Sequence, residues 1–214
     1  GAHLLMTLSG VSARVFDVEE KALLFELEGH EAELITARFM RGDEQIITVS
    51  EDGHVVRWDR EGERLGEQRI GETLDKVAVS EAGHHFAVST EGGEILLCGD
   101  DSETPQRLSE QVALEEMLFL DEDRVLLGRD ESGVVHLWQC EGEPEARQLE
   151  LSGPVTAVAA RPESSVVALG LEGGRVQVWD LRSLSLLADM EHGVNLTGLR
   201  FSGDGALLVS WGGS

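Results

Sequence analysis

Short apolar runs alternate with polar turns along the whole chain, and nowhere does a 3.6-residue period persist. The stretch Ile46 to Asp59, IITVSEDGHVVRWD, shows the pattern best. Ile46, Ile47 and Val49 form one apolar run, Glu51, Asp52 and Gly53 a polar turn, and Val55, Val56 and Trp58 a second run. β-branched residues suit a pleated surface, and an Asp-Gly pair between two such runs predicts a hairpin. A single hairpin is marginal in water. This one recurs.

Two independent markers give the period. The pairs Phe16-Asp17, Trp58-Asp59, Cys98-Gly99, Trp138-Gln139 and Trp179-Asp180 follow one another at 42, 40, 40 and 41 residues. Phe39, Val79, Phe119, Ala160 and Phe201, which end the opening run of each unit, follow at 40, 40, 41 and 41. Each period contains four runs. They are Leu34–Met40, Gln45–Ser50, His54–Asp59 and Leu65–Ile70, then Leu74–Ser80, His85–Thr90, Glu94–Cys98 and Gln106–Ser109. Next come Leu114–Leu120, Arg124–Gly128, Val134–Trp138 and Arg147–Leu151, then Val155–Ala160, Val166–Gly170, Arg175–Asp180 and Ser185–Met190. Turn residues separate them at 41–44, 91–93, 131–133, 172–174 and 203–205. The chain reads as all-β.

Four strands per unit of about 40 residues is the signature of a propeller blade. Here the chain resembles the WD-repeat family, in a bacterial-type form with degenerate repeats. Gly29-His30 stands before the first strand of the second repeat, and Trp58-Asp59 closes its third. The resemblance implies a β-propeller of four-stranded antiparallel blades. It also implies a buried structural tetrad of His30, Thr48, Asp52 and Trp58, with Ser50 as the alternative to Thr48. A buried imidazole and indole N–H need partners, and such a set supplies them. The fifth repeat keeps Trp179-Asp180 but has Gly173 at the turn, the fourth keeps only Trp138, and the third has Cys98 instead of Trp. Those blades are expected to depend on apolar packing.

The expected repeats span about 1–28 (partial), 29–70, 71–109, 110–151, 152–192 and 193–214 (partial). The first holds Leu4–Ser9, Ala13–Val18 and Leu23–Leu27 as strands two to four, and the last holds Leu196–Ser202 and Ala206–Trp211 as strands one and two. Four full and two partial repeats would leave one strand to spare in a five-blade ring. Family members more often have seven blades. The expectation is therefore part of a larger propeller, open or strained alone, or completed by further blades of the parent chain or by another chain. Gly212-Gly213-Ser214 could be a linker remnant.

Composition narrows the function. Apolar residues make up 41% of the 214, enough for a sizeable core. The 41 acidic and 17 basic residues give a net charge of −24. Such a surface repels phosphate backbones and anionic lipid, so neither nucleic acid nor a membrane is an expected partner. It would draw in a basic protein or peptide, or merely keep the chain soluble. Cys98 and Cys140 match no metal spacing or disulfide framework. No signal peptide or long apolar run is visible, which makes a cytoplasmic location the expectation. Absence of Tyr and the dominance of Arg over Lys point to a GC-rich bacterial genome.

No nucleophile elbow, phosphate loop, HExxH pair or Cys-His constellation is present. His84-His85 reads as a solvated turn between strands, Asp121, Glu122 and Asp123 as another. Asp100, Asp101 and Glu103 lack calcium-loop spacing. Cys98 reads as a small core residue. No catalytic residue, cofactor or metal is expected. The reading is a non-enzymatic scaffold that binds partners through loops at one propeller face. By blade position that face gathers Glu31, Glu33, Glu51, Glu72, Asp75, Glu91, Asp130, Glu131, Glu172 and Asn195. The alternatives are a regulatory or sensor domain of a larger bacterial signalling protein, with a protease, kinase or NTPase module elsewhere, and a propeller hydrolase.

Overall fold

The computed structural model describes all residues except 1–2, 8–9, 41–43, 72, 81–84, 100–103, 122–123, 143–144 and 214, with residues 3–7 described by backbone alone. The described residues form 21 strands and no helix, and every strand pairing is antiparallel. The chain gathers into two units that divide between Ala113 and Leu114, close to the junction of the third and fourth repeats.

The first unit holds three sheets. Strands β1 (His3–Thr7), β2 (Ala13–Asp17) and β3 (Ala22–Leu27) make a three-stranded sheet. The next is β4 (Leu34–Met40), β5 (Gln45–Ser50), β6 (His54–Asp59) and β7 (Arg64–Arg69) in meander order. The third repeats that order with β8 (Leu74–Val79), β9 (His85–Thr90), β10 (Ile95–Gly99) and β11 (Gln106–Ser109).

The second unit has two four-stranded meanders and a hairpin. The meanders are β12 (Leu114–Leu120), β13 (Val125–Asp130), β14 (Val135–Gln139) and β15 (Ala146–Gln148), then β16 (Val155–Ala160), β17 (Val166–Leu171), β18 (Arg175–Asp180) and β19 (Ser185–Glu191). The hairpin is β20 (Leu196–Phe201) and β21 (Leu208–Gly212). Four full sheets and two partial ones are the blades expected of a propeller.

Burial explains the sequence pattern. The middle strands of each sheet are covered on both faces, so they read as continuous apolar runs without alternation. Ile46, Val56 and Trp58 pack toward the preceding sheet with Ala13, Val15 and Leu27. Ile47, Val49 and Val55, one residue out of phase, pack toward the following sheet with Leu74, Phe86 and Val88. In the second unit Leu127, Val135 and Leu137 meet Val167 and Leu169 in the same manner. Outer strands carry little of this load. β7 is largely exposed and β15 has three residues instead of the five expected, because beyond Leu149 the run turns polar at Glu150.

A β-bulge recurs where the first strand of a repeat meets the second, at Leu34/Thr36, Leu74/Lys76, Leu114/Glu116, Val155/Ala157 and Leu196/Gly198. One extra residue there bends the strand as it leaves the connection. The same end of each sheet holds the turn between strands two and three.

Candidate functional site

That end is built on glycine. Gly53, Gly93, Gly133 and Gly174 occupy equivalent turn positions with φ of 84°, 84°, 81° and 82°, a region that L-residues with a Cβ enter at a cost. Each amide closes its turn onto the residue three before it, such as Gly53 N–H to the Ser50 carbonyl at 3.1 Å and Gly133 N–H to that of Asp130 at 2.9 Å. Each carbonyl then accepts from the segment that follows strand four, from Ile70, Val112 and His192 in the connection and from Val155 at the start of β16, at 2.7–2.9 Å. Turn and connection are thereby locked together in every full repeat.

The second repeat adds a side-chain chain. Ser50 Oγ donates to Asp52 Oδ1 at 2.6 Å, so its proton is committed. His30 Nδ1, 2.8 Å from Ser50 Oγ, must then be the donor in that contact. Trp58 Nε1 donates to Thr48 Oγ1 at 2.9 Å, and Thr48 can pass its own proton to His30 Nε2 at 2.7 Å. The donors run in one direction, Trp58 to Thr48 to His30 to Ser50 to Asp52, around a neutral Nδ1–H imidazole. Burial lowers the His30 pKa against an opposing pull from Asp52, and the Ser50 bond holds the Asp52 pKa below its usual value. The sequence reading offered Thr48 or Ser50. The structure uses both, because an imidazole has two nitrogens to satisfy.

This network fixes the loops beside it. His30 anchors the connection that carries Glu31 and Glu33, and Asp52 anchors the turn that carries Glu51. The Glu51 amide donates to the Glu33 carbonyl at 2.9 Å, while its own carbonyl accepts from Leu74 of the next repeat at 2.8 Å. The Glu31, Glu33 and Glu51 side chains stay exposed. Glu91 and Glu172 repeat the arrangement, with amides bonded to the Thr73 and Pro154 carbonyls at 3.2 and 2.8 Å. They and Glu131 are exposed too, so the first turn residue of every full repeat is a solvent-facing glutamate, and the amides of Glu51, Glu91 and Glu172 are bonded to the neighbouring connection.

The other expected face residues differ. Asp75 is exposed but paired with Lys76 at 2.6 Å. The Asn195 side chain accepts from the Gly173 amide at 3.0 Å. Asp130 is drawn into its own turn. It accepts from the Ser132 amide and hydroxyl, the Val134 amide and His136 Nε2 at 2.6–3.0 Å. Burial pushes its pKa up, yet the bonds from Ser132, His136 and Val134 outweigh this and leave it below the usual value. Glu72 lies outside the described residues.

Two further expectations need correction. His85 is not a solvated turn residue, since it opens β9 and its Nδ1 is buried, with no partner among the described residues; His84 lies outside the described residues. Asp121 is not an ordinary exposed turn residue. It is buried and bound by the Arg182 guanidinium, with Nε to Oδ2 at 3.2 Å. The pair spans two repeats of one unit, and nothing local in the sequence announces it. Cys98 is buried in the core, and burial pushes its thiol pKa up to about 12, which leaves it unreactive at neutral pH.

Comparison with known proteins now fits this geometry. Residues 21–59 match the family model described as WD domain, G-beta repeat. That span runs from β3 through the tetrad to Asp59. By structure the chain resembles a chain in the crystal structure of the mitotic checkpoint complex, at a TM-score of 0.74 and 16% identity, over 99% of this chain and 68% of that one. No curated protein matches by sequence. The 1678 solved chains that match by structure make this a widely used architecture, so likeness identifies the fold and not a partner. The fold is an all-β array of four-stranded antiparallel blades of the WD40-type β-propeller class, and residues 21–59 are similar to a WD repeat.

Proposed function

We propose that this chain is a non-enzymatic interaction platform that takes a basic protein or peptide on the glutamate-bearing turns. The reading draws support from the fold, which commonly serves as a protein-interaction scaffold. One observation carries it further. Glu31, Glu33 and Glu51 are exposed side chains beside the His30 network; the Glu51 backbone is bonded to Glu33 on one side and Leu74 on the other, and Glu31 directly follows the anchored His30. Rigid presentation of like charges costs stability, and it lowers the ordering cost of binding a cationic ligand.

The test is capture from a cell lysate on immobilised chain, beside a variant carrying Glu31→Gln, Glu33→Gln and Glu51→Gln. The wild type should retain basic proteins that elute as salt rises, and the variant should lose them. Equal recovery on both surfaces would overturn this reading.

A further inference from the structure

The turns of the second and fourth repeats carry the same three residue types in reverse order. Ser50, Glu51 and Asp52 in one become Asp130, Glu131 and Ser132 in the other, at a constant offset of 80 residues. The hydroxyl–carboxylate bond survives the exchange. Ser50 Oγ donates to Asp52 Oδ1 at 2.6 Å, and Ser132 Oγ donates to Asp130 Oδ1 at 2.6 Å. What changes is the group that faces an imidazole. In the second repeat it is a hydroxyl, which His30 reaches from the connection before the repeat. In the fourth it is a carboxylate, and the His30 position is held by Glu110, an exposed side chain paired with Arg107 at 2.7 Å. An ionised glutamate there has no proton to donate to Asp130.

The donor comes from inside the repeat instead. His136 stands on β14 where the second repeat has Val56, and its Nε2 lies 2.8 Å from Asp130 Oδ2. An ionised carboxylate only accepts, so Nε2 carries the proton. His30 holds its proton on Nδ1, so the two imidazoles are opposite tautomers. Stacking on Trp138, with ring centroids 5.8 Å apart and planes 10° apart, orients the His136 ring. Asp130 Oδ1 meanwhile accepts from the Ser132 amide at 2.9 Å and the Val134 amide at 3.0 Å. Both sequence neighbours of Glu131 are thus pinned, Asp130 by His136 and Ser132 by Asp130.

We propose that His136 is a positioning residue for binding: through Asp130 it fixes the turn that presents Glu131, which then serves as a contact for the basic partner without help from the His30 network. The inference rests on the interaction-platform reading. His136, Asp130, Ser132 and Trp138 all belong to the second unit, whereas His30 and its partners belong to the first. A carboxylate on a turn already fixed loses less conformational freedom on meeting a cation than one on a loose turn. Removing the His136 donor should therefore loosen Glu131 and weaken its contact while leaving the second-repeat glutamates as they are.

Backbone NMR of the 214-residue chain at neutral pH, with hexa-arginine as the probe, tests this. In the wild type the Glu131 amide should have an order parameter of about 0.85, and the peptide should shift it. Long-range proton–nitrogen correlation should place a proton on His136 Nε2, a readout that does not depend on any variant folding. His136→Phe keeps a ring on Trp138 and removes the donor. In that variant the Glu131 order parameter should drop below about 0.6. The peptide affinity read at Glu131 should fall about twofold to fivefold, the reach of one exposed ion pair. His136→Gln restores an N–H donor and should restore both. The Glu51 amide should respond to the peptide alike in wild type and both variants. A wild-type His136 protonated on Nδ1 alone overturns the proposal, as does a Glu131 amide that stays ordered and responds equally in His136→Phe. If the peptide shifts Glu51 and not Glu131, the platform reading stands and this inference fails. If it shifts neither, the reading itself fails and takes the inference with it.

Discussion

Trp58 and Trp138 hold the same place in their repeats, but among the described residues the Trp58 N–H has a partner and the Trp138 N–H has none. Trp58 N–H reaches Thr48, whereas Trp138, buried to 1% exposure, has an indole N–H with no acceptor among the described residues. The Thr48 position is Gly128 in the fourth repeat, and a Cβ there would come within 2.8 Å of the Trp138 ring. Glycine makes room for the ring and removes the hydroxyl at once. Trp179 solves the problem differently, donating to Gln177 in its own strand at 3.2 Å. Truncation to Phe should separate these cases. Trp58→Phe loses packing and a hydrogen bond, while Trp138→Phe loses packing but relieves an unpaired donor whose burial costs about 1–3 kcal/mol. Urea denaturation should show Trp58→Phe destabilising by about 1–3 kcal/mol more than Trp138→Phe. Equal losses would mean that the Thr48 bond contributes nothing. His30 provides a second test, by pH. Its folded pKa is lowered by burial, so above about 6.5 the imidazole is neutral in both states and contributes no pH dependence. Below that, the unfolded chain takes up a proton that the folded chain refuses, and stability falls until pH reaches the folded pKa. Asp52 acts in the same direction but only at more acidic pH, since its stabilisation is present above the usual Asp value and is lost through its lowered folded pKa. The stability gap between wild type and His30→Gln should therefore narrow from pH 7.5 to pH 5. A constant gap would refute the neutral, desolvated imidazole.

At the scale of the element, the turn glycines matter more than the strands they join. Gly133 has φ of 81°, and a Cβ on it would stand 2.7 Å from the Pro154 side chain and the Val155 amide. At Gly93 the added carbon would meet the Gln111 backbone at 2.9 Å. Gly66 in β7 has open space and no positive φ. Gly93→Ala and Gly133→Ala should each cost about 1–3 kcal/mol from strain. Gly66→Ala should be neutral or stabilise by about 0.4–1 kcal/mol by stiffening the unfolded chain. Thermal melts of the three variants check the order. Strands were largely legible in the sequence because burial on both faces writes unbroken apolar runs. The bounds of β4, β5, β6 and β16 agree with those read from Leu34–Met40, Gln45–Ser50, His54–Asp59 and Val155–Ala160. Outer strands were less legible, as β15 shows, since exposed backbone pairing leaves little mark on side-chain choice. The tetrad could be named because its members lie at motif positions. Gln177 beneath Trp179 and Arg182 on Asp121 could not, since each is a solution to a local defect that varies from repeat to repeat.

For the whole molecule, charge sets the balance. With 41 carboxylates and 17 Lys and Arg, negative charges outnumber positive ones by 24. The pairs that do form are mostly exposed, such as Arg107–Glu110 and Arg147–Glu145, and exposed pairs are worth about 0–1 kcal/mol each. Salt weakens those attractions and the repulsion among the surplus carboxylates together, so the net sign shows which is larger. The Debye length falls from about 30 Å at 0.01 M to about 8 Å at 0.15 M, which removes mainly the long-range terms. Those terms are repulsive in a chain of net charge −24, whereas contacts at 2.6–2.9 Å are screened least. Melting temperature should therefore rise as sodium chloride goes from 0.01 to 0.3 M. Chloride is the salt to use, because sulfate would also strengthen apolar burial and hide the cause. The Glu31→Gln, Glu33→Gln, Glu51→Gln variant should melt higher than wild type at low salt, with the difference shrinking as salt is added. A melting temperature that falls with salt would show that ion pairs outweigh repulsion, and the glutamate turns would then carry no stored electrostatic cost for a basic partner to relieve.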